Sequence, residues 1–119
     1  MRIATLNCNG IRSAARKGFY DWLPIQGIDV LCLQETRCSD EDIAEALYKP
    51  EGYSSHWLHA EKKGYSGVAL YSRREPDDVV RGFGSREFDA EGRYLEARFG
   101  KLSVVSLDRK STRLNSSHT

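Results

Sequence analysis

The chain has 119 residues, 39% of them hydrophobic and 29% charged, with a formal net charge of +1. That size and balance suit one compact domain or a piece of a larger one. No apolar run approaches a membrane span, and Arg2-Ile3-Ala4-Thr5-Leu6 opens the chain as a strand with no basic-then-apolar signal segment. Three cysteines make no disulfide framework; Cys8 and Cys32 sit in apolar strands where a reduced thiol packs as a small hydrophobe, so a cytoplasmic protein is expected. Cys8, Cys32, Cys38, His56 and His59 show none of the paired spacings of a zinc site.

In chain order, Arg2 to Asn7 reads as a short strand ending in the turn Asn7-Cys8-Asn9-Gly10, where Gly10 permits a positive φ. Ser13 is placed to cap a helix whose apolar positions Phe19, Trp22 and Leu23 recur at helical spacing, with Pro24 near its stop. The run Ile28-Asp29-Val30-Leu31-Cys32-Leu33-Gln34-Glu35-Thr36 has no helical rhythm and reads as a strand buried on both faces. Strand, helix and strand in that order predict a βαβ unit with parallel strands and a right-handed crossover. Asn7 and Glu35 then leave the sheet at the same edge, where ligands of layered α/β proteins bind. A carboxylate at the mouth of a buried strand costs free energy unless a cation or a donor meets it, so Glu35 is either a site residue or one that simply reaches water.

Ser39-Asp40-Glu41-Asp42 predicts an N-cap and acidic first turn leading into a helix through Ile43, Ala46 and Leu47, ended by Lys49-Pro50-Glu51-Gly52. Five strands are predicted after it: Tyr53 to Leu58, Gly67 to Ser72, Asp78 to Gly82, Arg93 to Phe99 and Leu102 to Leu107. Phe99-Gly100-Lys101 is a tight hairpin, and Glu61 to Gly67 is a polar loop with the single aromatic Tyr65. The expected fold class is α/β: a mixed sheet with helices on one side, lacking a closing half, whose last strand is left unpaired.

From Asp108 the alternation stops, and Asp108-Arg109-Lys110-Ser111-Thr112-Arg113-Leu114-Asn115-Ser116-Ser117-His118 matches one reading frame of a widely used sequencing-library adapter. Residues 108–119 are therefore expected to be a non-native tail outside the fold. Leaving out Asp108, Arg109, Lys110 and Arg113 turns 18 basic and 17 acidic residues into 15 and 16, and +1 into −1. Net charge then argues for no partner, and any nucleic-acid affinity rests on the local clusters Arg12, Arg16, Lys17 and Arg37, or Lys62 and Lys63. Either cluster reads equally as an ordinary solvated face.

Three segments taken together, Asn7-Cys8-Asn9-Gly10-Ile11-Arg12, Asp29 through Arg37, and Gly64-Tyr65-Ser66-Gly67-Val68-Ala69, resemble the exodeoxyribonuclease III family of abasic-site endonucleases, within the endonuclease/exonuclease/phosphatase superfamily. The resemblance implies that residues 1–107 are the N-terminal half of a four-layer α/β sandwich of two packed sheets. It implies a Mg²⁺-dependent DNA-repair nuclease (Mn²⁺ also serving), cleaving 5′ to abasic sites and acting as a 3′-to-5′ exonuclease on duplex DNA. Glu35 would be the metal ligand and Asn7 would hold the hydrogen-bond network around the metal; Asn9 stands where some relatives have Asp. Arg12 and Arg37 match positions near the DNA backbone, and Tyr65 with Gly64 matches the residues that pack on the sugar-phosphate chain. Gly92-Arg93 resembles another segment near the site without an assigned role, and Asp108 stands where the family's catalytic Tyr is expected. The general-base Asp, its companion Asn and the Asp-His pair are missing, so the fragment is expected to be inactive although its parent is an enzyme, a monomer acting on DNA and no membrane. Two other readings remain: a superfamily phosphodiesterase acting on RNA or a phosphoinositide, and a non-enzymatic nucleic-acid binding module using the same edge.

Overall fold

A computed structural model describes residues 1–109; Lys110 to Thr119, most of the tail expected to be non-native, lie outside the described residues. Strands β1 (Ile3–Asn7) and β2 (Val30–Gln34) pair in parallel, as the βαβ reading requires, with Asn7 beside Gln34. Between them the expected single helix is broken. Helix α1 spans Ile11–Arg16 and α2 spans Phe19–Trp22, followed by a 3₁₀ turn Leu23–Ile25 that carries Pro24. Gly18 at φ +97 separates them, a conformation costly to any residue with a Cβ. The break lets Ile11, Phe19 and Leu23 all reach the core. Ser13 is inside α1, and the position before the helix belongs to Gly10.

The helix expected from Ser39 to Leu47 is instead two 3₁₀ turns, Asp40–Ile43 and Ala46–Tyr48. Ser39 does cap the first, its N–H and hydroxyl donating to Asp42 Oδ2 at 2.9 and 3.1 Å. Glu45 at ψ 150 then leaves helical geometry, so the spacing of Ile43 and Leu47 never becomes one face: Ile43 is buried and Leu47 is 48% exposed.

The remaining elements are β3 (Ser54–Leu58), β4 (Val68–Ser72), β5 (Asp78–Arg81), α3 (Arg86–Ala90), β6 (Tyr94–Phe99) and β7 (Leu102–Leu107). The strands divide between two sheets. One is mixed, in the order β1-β2-β4-β3 with only β1 and β2 parallel, and the other is antiparallel, β5-β6-β7. Ile11, Phe19, Leu23 and Tyr48 pack on one face of the mixed sheet against Leu31, Leu33 and Tyr71. Val30, Cys32, Val68 and Leu70 on the opposite face meet Leu95, Ala97, Phe99 and Val104 of the second sheet. This explains why β2 and β4 are apolar at almost every position: each is covered on both sides. The described residues thus form a layer of short helices, a mixed sheet and an antiparallel sheet.

Two polar links cross these layers. Tyr71, fully buried, donates to the Tyr48 carbonyl at 2.8 Å and shares a 2.6 Å hydroxyl contact with Tyr20, which ties the helical layer to β4. Ser106 of β7, also fully buried, donates to the Leu33 carbonyl at 2.8 Å and accepts from Gln34 Nε2 at 3.2 Å. Gln34 Oε1 in turn accepts from the Thr5 hydroxyl, so β1, β2 and β7 are joined one residue below Glu35.

Candidate active site at the ends of β1 and β2

Parallel pairing brings Asn7, the last residue of β1, beside Gln34, and Glu35 leaves β2 at φ +53. That left-handed turn swings the carboxylate back over β1, where Asn7 Nδ2 donates to Glu35 Oε2 at 2.6 Å. The Asn9 backbone N–H donates to Asn7 Oδ1 at 3.0 Å, which fixes the amide so that its NH₂ and not its oxygen faces Glu35. Arg37 Nη2 donates to the other carboxylate oxygen, Glu35 Oε1, at 2.7 Å. Glu35 is therefore met by a neutral donor on one side and a cation on the other.

The backbone around these side chains is clamped. Gly10 and Ile11 donate to the carbonyls of Glu35 and Thr36 at 2.7 and 2.9 Å, while Thr36 and Arg37 donate to Gly67 and Ser66 at 3.1 and 2.8 Å. Among the described residues, the non-glycine positions with positive φ are Asn9, Glu35, Arg37 and Ser66, all of them on this rim. Left-handed positions concentrated in one place, where the surrounding hydrogen bonds enforce them, single out this rim as the candidate site. Gly67 at φ +89 is required here, because a Cβ would lie 2.4 Å from the hydroxyl of Thr36.

Two clefts open at the rim and meet at Arg37 and Gly64. The larger, about 510 Å³, is lined by Glu35, Tyr65, Ser66, Arg93 and Asp108. The smaller is lined by Gly10, Arg12, Ser13 and Arg16. Tyr65 is 55% exposed, with Lys62 Nζ 4.1 Å above its ring. Arg12 Nη2 donates to the Arg37 carbonyl at 3.0 Å and Nη1 stands 3.4 Å from Asp42, leaving the guanidinium half exposed to the smaller cleft.

Arg93, left without an assigned role by the family resemblance, lines the larger cleft, paired to Glu91 at 2.7 Å and Asp108 at 3.3 Å. Asp108, read from sequence as the first residue of a foreign tail, also lines it, and its N–H donates to the Arg93 carbonyl at 2.9 Å. Burial raises the Asp108 carboxyl above the usual range, Arg93 pulls it back, and Glu35 adds to the rise. The family resemblance places Gly92-Arg93 near the site and a different residue type at position 108; the pairing of β6 with β7 joins the two, and the packing of that sheet on β2 carries them to the cleft beside Glu35.

As a cation site, the rim offers one hard carboxylate, Glu35, aimed into a polar cleft and steadied by Asn7. That donor set fits Mg²⁺, which keeps much of its water shell and takes one or two protein carboxylates. Among the described residues, no three His, Cys, Asp or Glu side chains converge into a cage of the zinc or calcium kind. Cys8 and Cys32 lie in different core clusters, and burial raises each thiol to about 11.

The model of the endonuclease/exonuclease/phosphatase family matches residues 4–117. The chain belongs to this family. Its relatives include an exodeoxyribonuclease of Bacillus subtilis, 38% identical over 90% of this chain and 42% of the relative. The DNA repair nuclease APEX1 of Danio rerio is also 38% identical, over 89% of this chain and 35% of its own length. Among solved structures, an AP endonuclease from Archaeoglobus fulgidus superposes with a TM-score of 0.74 at 35% identity, covering 88% of this chain and 40% of that one. A 3′-5′ exonuclease from Neisseria meningitidis, at 23% identity and a TM-score of 0.78, shares the fold over 99% of this chain and 47% of its own. The chain spans less than half the length of each of these family members.

Of the residues singled out in the sequence, Asn7, Asn9, Glu35 and Arg37 form one bonded group, and Arg12, Gly64 and Tyr65 border the two clefts beside it. His56 and His59 do not join them. His56 lies on β3 against Ser54 and Glu75, and His59 Nε2 pairs with Asp40 at 2.8 Å.

Proposed function

We propose that this chain is the N-terminal part of a DNA-repair nuclease that hydrolyses phosphodiesters at abasic sites and at 3′ ends of duplex DNA, using Mg²⁺, with Mn²⁺ able to replace it. The observation that carries this reading is the 2.6 Å hydrogen bond between Asn7 and Glu35 across the ends of two parallel strands. Glu35 holds the cation, and Asn7, fixed by the Asn9 amide, holds Glu35. A cation held by Glu35 would supply charge neutralisation for the phosphoryl oxygens. Arg12 and Arg37 take backbone phosphates, contacts that set register without reading sequence. Tyr65, carried past Gly64, packs on the sugar-phosphate chain. The three cysteines are unpaired, which suits the reducing cytoplasm, and the protein works there as a monomer.

The general base and the Asp-His pair implied by the family resemblance belong to the half of the domain beyond this chain, so the 119-residue chain by itself is proposed to be inactive. The test is nicking of an abasic duplex with Mg²⁺ by the full-length protein, its variants and the isolated chain. Glu35→Gln is expected to abolish nicking, and Asn7→Ala to reduce it about 10- to 100-fold, as changes behind a metal ligand do. Full-length Glu35→Gln with wild-type turnover, or robust turnover by the isolated chain, would overturn the proposal.

A further inference from the structure

We propose that Arg37 is a gate on Glu35: its guanidinium occupies the carboxylate while the cation is absent and moves to a substrate phosphate when the cation arrives. This inference rests on the proposed role of Glu35. Arg37 Nη2 bonds Glu35 Oε1 at 2.7 Å, so guanidinium and cation draw on the same carboxylate charge. They also repel one another, which makes simultaneous occupancy unfavourable.

The backbone of Arg37 is held still while its side chain has somewhere to go. Its N–H donates to Ser66 O at 2.8 Å and its carbonyl accepts from Arg12 at 3.0 Å. The side chain is 46% exposed and borders both clefts, so a rotation about its own bonds carries the charge from the Glu35 side towards Arg12 and Arg16. Asn7 has no such freedom, because Asn9 fixes its amide. Glu35 therefore keeps one permanent partner and one exchangeable one. Until an ion replaces it, the exchangeable partner spares the carboxylate the cost of facing a neutral donor alone at the end of a buried strand. Metal loading and phosphate capture are then a single event, since the cation frees the guanidinium that the substrate needs.

The test is Mn²⁺ binding to the full-length protein, followed by the electron paramagnetic resonance signal of free aquo-Mn²⁺, in wild type, Arg37→Met, Arg37→Lys and Glu35→Gln. Arg37→Met removes the competitor and is expected to tighten binding about two- to fivefold, the scale of a partly exposed ion pair. Arg37→Lys keeps the charge and is expected to stay near wild type, a rescue that a merely structural role would not produce. Binding in Arg37→Met equal to or weaker than wild type, with Glu35→Gln having lost it, overturns the gate and leaves the role of Glu35 standing. Unchanged binding in Glu35→Gln, or no binding in any variant, overturns both.

Discussion

Replacing Gly67 by alanine tests whether the rim is held as described. The residue sits at φ +89, so any side chain there pays about 1–2 kcal/mol for left-handed backbone. Its Cβ would also stand 2.4 Å from Thr36 Oγ1, and Thr36 is fully buried, with no solvent to swing into. Crowding of that kind costs about 1–3 kcal/mol more, so Gly67→Ala is expected to destabilise the chain by about 2–5 kcal/mol in urea denaturation. Gly64→Ala is the control: it has φ +80 but nothing within 4 Å, so only the backbone cost of about 1–2 kcal/mol applies. Adding Thr36→Ala to Gly67→Ala should recover the crowding part, a non-additivity expected of touching residues. Equal losses at Gly64 and Gly67, or no recovery in the double variant, would refute the reasoning.

Two further predictions concern the layers. Ser106→Ala strips the Leu33 carbonyl and the Gln34 amide of their shared partner, and should lower stability by about 1–3 kcal/mol, read as a drop in the urea midpoint without a change in slope. Burial lowers the pKa of His56 below its usual 6.5, Glu75 opposing and Arg81 adding to the fall. The unfolded chain therefore takes up the proton first as pH falls through 6.5, and the fold loses stability downward from there. Thermal melts across that window should show the slope in wild type and a shallower one in His56→Gln; identical slopes would contradict it.

Much of the site was legible because its parts lie at the ends of strands whose apolar character is unambiguous. Val30 to Leu33 is apolar at each position since β2 has a layer on both faces, and the parallel pairing of β1 with β2 follows from the connection between them. What stayed hidden depends on contacts distant in sequence. Helical spacing from Ser13 to Leu23 gives no sign that Gly18 turns the chain, and the acidic run after Ser39 looks like a helix start although Glu45 goes extended two residues after Ile43. Which strands share a sheet is likewise not written in their alternation: β5, β6 and β7 read like β3 but pair only among themselves. Arg93 and Asp108 reach the cleft solely through that second sheet.

The four left-handed positions at the rim carry a consequence for anyone engineering this protein. Asn9, Glu35, Arg37 and Ser66 each adopt a conformation that glycine would hold more cheaply. A laboratory selection for thermal robustness alone would be rewarded for erasing those side chains one after another. Sturdier descendants would keep the architecture and shed the proposed site, so sturdiness and cation binding have to be screened together.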